Sequence, residues 1–345
     1  MKDHYEVTIG IPVYKSVDFI RDTMTSALNQ TFPDIEFLIV DDCGQDGSMD
    51  IISPIQNSHL RGNDIRVLKN DENKGVSYSR NRMIDEAKGR YLYFMDSDDT
   101  IEPNTIQLLY DAIIQNRVQI AYGSYEIIDG LGNSPIERYQ KDALVLKGDD
   151  ELAMYAFKYN HIFHVSVCNH LVDLAFLRQS GVRFIDASYW EDMVYTTELV
   201  TKISSAVLLP DITYHYYRHS GSLSHYQVRN TYEREEIMKN VSVIQHLKDK
   251  SASLLGKNYF PYFFYNIEMI SFYMACHILR NSHRITPMIS LMEIQKMLRY
   301  SVPMKEILQF NNKRIPNMLF ALLSVMPLFL FRPSIWALGK LKKAI

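Results

Sequence analysis

The sequence predicts an α/β protein: a mostly parallel, doubly wound sheet with helices on both faces, followed by a helical C-terminal extension. Three observations predict it. Short apolar runs alternate with amphipathic stretches of about ten residues up to position 125, the pattern of repeated strand–helix units. Several of those runs stop abruptly on acidic or turn residues, as strands of an open sheet do where they meet a ligand crevice. Beyond Val228 the pattern is helical to the end.

In order along the chain, Val7 to Pro12 reads as the first strand, and Val17 to Gln30 as an amphipathic helix with Ser16 as its N-cap. Ile35 to Val40 (IEFLIV) is a second strand, followed by DDCGQDGS and another helix. Ile65 to Leu68 is a third strand. Val76 to Lys88 is a helix stopped by Gly89, and Tyr91 to Met95 is a strand apolar enough to be buried on both faces. Helix Asn104 to Gln115 and strand Gln119 to Tyr125 follow. From Glu126 to about Lys147 the pattern is less regular, with a turn at Gly130-Leu131-Gly132-Asn133. Strands at Val207 to Leu209 and Ile212 to Arg218 then mix with short helices.

The 345 residues are 47% hydrophobic and 22% charged, with only 14 Gly and 12 Pro, which argues against a disordered chain. A net charge of −3 gives no reason to expect a nucleic-acid partner. Cys43, Cys168 and Cys276 lie far apart without a CxxC pair, which excludes a Cys-rich zinc site and fits a reducing, cytoplasmic setting. MKDHYEVTIGIP lacks the apolar run of a secretory signal, so none is expected.

The chemistry concentrates at strand ends. YLYFMDSDDT stops on Asp96, Ser97, Asp98 and Asp99. Carboxylates this close repel one another unless a cation or protons relieve the charge. The natural occupant is Mg²⁺ or Mn²⁺ that also holds a substrate diphosphate. The plainer alternative is a solvated turn in which Asp99 or Thr100 caps the helix near Pro103. Asp41 and Asp42 close IEFLIV before a Gly-rich turn, and Pro12-Val13-Tyr14 ends the first strand. Tyr14, Asp41, Asp96 and Asp98 should therefore line one crevice, with Asp41 able to accept hydrogen bonds from a base or ribose. Asp42 or Asp46 is left to cap the next helix. Arg80 lies one turn into a helix whose N-terminus favours anions. Neither GxGxxG nor a P-loop follows the first strand, which argues against a nicotinamide dehydrogenase or a P-loop kinase.

IGIPVYKSVDFIRDTMTSALNQTFPDIEFLIVDDCGQDGS, NKGVSYSRNRMIDEAKGRYLYFMDSDD and WEDMVY together resemble family 2 glycosyltransferases of the GT-A fold, over about Val7 to Leu108 and again near Glu191. The resemblance implies metal-dependent, inverting transfer of a sugar from a nucleotide diphosphate, UDP favoured, to a hydroxyl of a glycan or lipid-linked glycan. The setting it implies is bacterial cell-surface polysaccharide synthesis. It gives Asp41 to the donor base, with Pro12, Tyr14 and Arg80 beside the donor, and Asp96-Ser97-Asp98 to the DxD motif. There Asp96 faces ribose or metal and Asp98 is the more direct ligand, with Asp99 supporting. It also makes Asp192 the general base, flanked by Trp190 and Glu191. One carboxylate suffices for direct displacement, because no covalent intermediate needs a second, while the cation stabilises the departing diphosphate. The segment YHYYRHSGS matches the end of the family's catalytic region, where Arg218 closes over the diphosphate and His215 or His219 completes the metal sphere. Alternation along a strand forbids all three from facing the donor, and Arg218 is preferred. The implied domains are 1–227, divided at 125 into donor and acceptor halves, and 228–345. Two rivals stand: a non-catalytic sugar-nucleotide or glycan binder, which would have no use for a base, and a nucleotidyltransferase, which would need a basic Gly-rich loop where PVYKS stands.

Met318 to Phe331 is nearly all apolar, but fourteen residues are too short to span about 30 Å of hydrocarbon. Trp336 and the basic end, Lys340, Lys342 and Lys343, fit a segment over 318–345 lying on the cytoplasmic face of an anionic membrane. The alternative is a core helix packed under the aromatic stretch Tyr259 to Tyr273.

Overall fold

A computed structural model describes residues 2–129, 132–159, 167–187, 190–219, 231–299 and 302–342. Gly130 and Leu131 of the expected turn, Ser220, Gly221 and Ser222 of the YHYYRHSGS segment, and Lys343 lie outside them. The chain divides into two compact units. Met1–Leu152, His161–Asp186 and Tyr195–Ser222 form the first; Ala153–Asn160, Ala187–Val194 and Leu223–Ile345 form the second.

The first unit is built on a ten-stranded sheet. Its strands are β1 (Tyr5–Val13), β2 (Ile35–Asp41), β3 (Ile65–Lys69), β4 (Gly89–Phe94), β5 (Thr100–Ile101), β6 (Ile120–Asp129), β7 (Gly132–Tyr139), β8 (Leu144–Lys147), β9 (His170–Asp173) and β10 (Ser205–Arg218). They run in the order β3-β2-β1-β4-β9-β6-β10-β5, with β7 added to β6 and β8 to β10. The pairs β3–β2, β2–β1, β1–β4 and β6–β10 are parallel; β9 sits antiparallel between β4 and β6. Every residue of β2 is buried, as a strand covered on both faces requires. Helices α1 (Ile20–Leu28), α2 (Ser48–Ser58), α3 (Val76–Glu86) and α4 (Thr105–Asn116) alternate with the parallel strands. After them come α5 (Glu151–Tyr159), most of which belongs to the second unit, α6 (Leu174–Ser180), and α7 (Glu191–Val200), whose residues up to Val194 belong to the second unit; α6 starts where the Asp173 carboxylate accepts the Phe176 N–H at 2.8 Å. The register sets Val13 opposite Asp41, Asp41 opposite Lys69 and Gly10 opposite Phe94. The carboxyl ends of four strands thus share one edge, where ligands of such sheets collect.

Three local expectations change. Ser16 does not cap a helix from Val17, because α1 begins at Ile20; the Ser16 carbonyl takes the Phe19 and Ile20 N–H groups. Gly89 does not stop α3, which ends at Glu86, but opens β4 tightly against β1: a Cβ there would lie 2.4 Å from the Thr8 nitrogen. The two short strands around Pro210 are one strand, β10, whose register against β6 shifts between Leu208 and Tyr214.

The second unit is helical: α8 (Arg234–Ser251), α9 (Phe260–Arg280), α10 (Leu291–Met297), α11 (Met304–Ile307), α12 (Arg314–Val325) and α13 (Leu328–Leu341). Ser290 and Glu293 form a capping box that starts α10. An aromatic cluster of Phe157, Tyr259, Phe260, Phe263 and Phe264 surrounds the start of α9. Deeper in, Lys248 of α8 meets Glu268 of α9 at 3.0 Å with both side chains fully buried. Burial raises the Glu268 carboxyl to about 7, and the Lys248 charge opposes that rise. Among the described residues no helix is long and apolar enough to cross a membrane.

The C-terminal segment is neither purely core nor purely surface. Phe320 packs 5.8 Å from Phe272 and 6.2 Å from Tyr265, and Asn317 donates to the Pro261 carbonyl at 3.2 Å. While Leu319, Leu322, Leu330 and Trp336 are exposed, Phe320, Leu323, Phe331 and Ile335 are buried. Deleting residues 318–345 removes these four, each worth about 2 kcal/mol of burial. A melting curve is therefore expected to fall by several degrees or end in aggregation; an unchanged midpoint would show that this segment braces nothing.

Candidate active site

Asp41 ends β2 with its Oδ1 accepting the Cys43 N–H at 3.0 Å. Its carboxylate lines a cavity of about 300 Å³ together with Val13, Gly44, Ser48 and Lys69. The backbone around this cavity is tightly turned: Cys43 and Gln45 hold φ of 58° and 52°, and a Cβ on Gly44 would lie 2.6 Å from the Lys15 nitrogen. Only glycine fits there. Pro12 stands opposite Val40 in β1, and Tyr14 follows it, 44% exposed beneath the Lys15 ammonium.

Asp42 has a different task from the helix cap considered for it, since α2 has Gly47 at its N-cap position. The buried Asp42 carboxylate accepts from Asn70 Nδ2 (2.6 Å), Asn73 Nδ2 (3.2 Å), Lys74 N (2.9 Å) and Gly75 N (2.8 Å). It thereby fixes the loop that delivers α3. Asp46 holds the start of α2, accepting from Ser48 N at 3.2 Å and Val17 N at 2.9 Å. Burial alone would raise the Asp46 carboxyl, but the Ser48 hydroxyl, donating at 2.7 Å, and these two N–H bonds hold it below the usual range.

The acidic loop after β4 is held from three sides. Arg80, buried on α3 with its guanidinium 5.5 Å from the Phe184 ring centroid, donates to Asp96 Oδ1 at 2.8 Å. The hydroxyls of Ser16 and Ser97 meet at 2.6 Å, and Thr23 donates to the Ser97 carbonyl at 3.0 Å. From β10, Tyr214 donates to Asp99 Oδ2 at 2.6 Å while accepting the Asp96 N–H at 3.2 Å. The Tyr217 N–H reaches Asp99 Oδ1 at 2.9 Å. His219, stacked on Phe19 with centroids 4.3 Å apart, pairs with Asp98 Oδ2 at 2.8 Å.

These partners sort the three carboxyls. Asp99 is fully buried, and burial first, then the charges of Asp98 and Asp96, push it well above the usual range. Asp98 is raised by burial and by Asp96, with His219 pulling the other way. Asp96 faces the fixed charge of Arg80. The donor set suits a hard divalent ion: Asp98 and Asp96 offer carboxylate oxygens and His219 an imidazole nitrogen. A cation at Asp98 would relieve the repulsion that raises it. Among the described residues no three His, Cys, Asp or Glu form a ready cage, and an ion carried in part by substrate phosphates needs none.

Two sets of candidates remain, Arg218 and the residues around Asp192. Arg218 is exposed opposite Asp129 in the β10–β6 ladder; His219, not Arg218, pairs with a carboxylate of the acidic loop. Trp190, Glu191 and Asp192 belong to the second unit. Trp190 holds φ of 68°, a left-handed conformation that costs a bulky residue of order 1–3 kcal/mol. Its carbonyl accepts the Met193 N–H at 3.1 Å, and Glu191 and Asp192 form the first turn of α7, Glu191 buried and Asp192 half-buried. Reasoning from the sequence missed Tyr214 and the hub at Asp42. Each binds groups far along the chain, and only the motif neighbourhood could have flagged them.

A parallel sheet with a cavity at the ends of its first strands, and an acidic loop beside it, defines a GT-A transferase fold. The chain matches Glycosyl transferase family 2 over residues 8–180, half its length, and belongs to that family. TuaG of Bacillus subtilis is 31% identical over 146 residues, 42% of this chain and 56% of that protein. The Escherichia coli UDP-Glc:alpha-D-GlcNAc-diphosphoundecaprenol beta-1,3-glucosyltransferase WfaP is 28% identical over 247 residues, 70% of this chain and 88% of that one. Among solved structures, S. aureus TarS 1-349 in complex with UDP-GlcNAc shares the fold with a TM-score of 0.63 at 16% identity, covering 92% of this chain and 90% of its own. The chain thus spans little more than half of TuaG and most of WfaP.

Proposed function

We propose that this protein is an inverting glycosyltransferase that moves a sugar from a nucleotide diphosphate, UDP favoured, to a hydroxyl of a glycan or lipid-linked glycan in cell-surface polysaccharide synthesis. The observation that carries it is the shared edge of β2, β1 and β4. Asp41 in its cavity and the acidic loop stand two strands apart, about 10 Å, the reach of a nucleoside diphosphate. The family match supports the reaction class, and the relative named as a UDP-Glc transferase to a diphosphoundecaprenol-linked sugar supports donor and acceptor.

In this reading Asp41 accepts hydrogen bonds from the base, and Pro12 and Tyr14 flank it. Asp98 and Asp96, with His219 beside them, would hold Mn²⁺ or Mg²⁺, whose charge offsets that of the leaving diphosphate. Arg80 orients Asp96, while Asp99 anchors the loop to β10. Asp192 takes the acceptor's hydroxyl proton as that oxygen bonds to the anomeric carbon and the bond to the diphosphate breaks, which inverts the centre. Domain limits at 227 and, within the catalytic part, at 125 remain part of this proposal, as does a cytoplasmic location with peripheral membrane contact.

A thermal-shift panel of nucleotide sugars with and without Mn²⁺ tests the donor side. A ligand at 100 times its Kd adds about 2.7 kcal/mol, so one UDP-sugar should raise the midpoint by several degrees only when the metal is present. No shift from any nucleotide sugar, with either metal, would overturn the proposal.

A further inference from the structure

Helices α12 and α13 are amphipathic the wrong way round for a soluble bundle. The face α12 turns inward carries Asn317, Phe320, Ala321, Leu323 and Ser324. The face it turns outward is at least as apolar: Ile315, Leu319, Leu322 and Val325 are 72, 52, 50 and 74% exposed. They follow an i, i+4, i+7 spacing, so they form one stripe. Helix α13 repeats the arrangement, burying Phe331, Ile335 and Gly339 while leaving Phe329 76%, Trp336 50% and Leu341 79% exposed. Single exposed apolar residues need no explanation, but a stripe on two consecutive helices does.

Charge says what covers it. After Glu306 the sequence holds no Asp or Glu, and six basic residues: Lys313, Arg314, Arg332, Lys340, Lys342 and Lys343. The whole chain carries −3, so with +6 in residues 307–345 the preceding 306 residues carry −9. The segment is a cationic end on an acidic protein. The Lys340 ammonium lies 3.7 Å from the Trp336 ring centroid, which pairs an aromatic suited to a lipid headgroup layer with a cation suited to its phosphates. A second copy of this chain would bring the same positive charge to the contact, whereas an anionic lipid surface complements it.

We infer that the outward face of α12 and α13 docks on an anionic lipid bilayer, its apolar stripe in the interface and its lysines and arginines on the headgroups, while the inward face remains core. The reading is independent of donor and metal.

The test floats the full chain, without donor, on phosphatidylcholine vesicles with and without phosphatidylglycerol. Binding should need the anionic lipid and weaken as salt rises. Leu322→Glu with Phe329→Glu should abolish flotation, and Arg332→Glu with Lys340→Glu should reduce it at least about tenfold at low salt. All four positions are exposed, so melting curves and transfer to a short soluble acceptor should stay at parental values. A parent that never floats at low salt overturns the inference, as does flotation unchanged in both double variants. A parent that dimerises through this face and ignores vesicles also overturns it, making a second copy the occupant.

Discussion

Replacing Asp98 with Asn is expected to abolish sugar transfer and metal-dependent donor binding while leaving the protein as stable as before, or slightly more so. Asp98 sits where burial and the Asp96 charge already raise its carboxyl. An amide keeps an acceptor for His219, which stands 2.8 Å away, and removes a charge from a repulsive cluster. What it cannot supply is an anionic oxygen for a hard cation. The loss of metal affinity should exceed the roughly 10–100-fold that follows removal of an outer partner. Activity, metal-dependent binding and melting are measured on the same preparation. Unchanged turnover sinks the assignment; lost activity with a collapsed melting curve would make Asp98 structural.

The second expectation separates base from donor site. Asp192→Asn should cut transfer by roughly two to four orders of magnitude, the range for a lost general base, yet leave nucleotide-sugar binding within a few-fold of the parent. Asp192 lies in the first turn of α7, where either residue suits the helix N-terminus. Folding should therefore be spared. Donor binding that fails along with transfer would place Asp192 on the donor side and the base elsewhere.

Much of the fold was legible because its signals are local. A run such as IEFLIV ending on Asp41 declares both a doubly buried strand and its ligand-facing end, and the alternation with helices fixes the parallel order of β1 to β4. What escaped depends on partners distant in sequence. Strand β9, four residues long, enters antiparallel between β4 and β6, and nothing in HLVD announces where it pairs. Alternation separated Arg218 from His219 and Arg218 was preferred, yet it is His219 that reaches Asp98, since the choice turns on which face meets the acidic loop. That depends on the pairing of His215 with Thr100 and Tyr214 with Ile101, a register invisible from one strand. The Asp41-Asp42 pair shows the same limit. Both read as acids at a strand end, and only the folded loop 70–75 shows that Asp42 is occupied four times over.

Strand β10 gives the protein a timetable. Tyr214 comes 115 positions after its partner Asp99, and His219 comes 121 after Asp98. At about 5–20 residues per second, a ribosome takes roughly ten seconds to cross that gap. Until then the chain holds the residues of β1 to β4 but not the partners that finish the acidic loop. Completion comes with the last strand of the first unit, well past residue 180 where the family match stops. A fragment cut to that match would keep the Asp41 cavity and lose the Tyr214 and His219 contacts that hold the acidic loop.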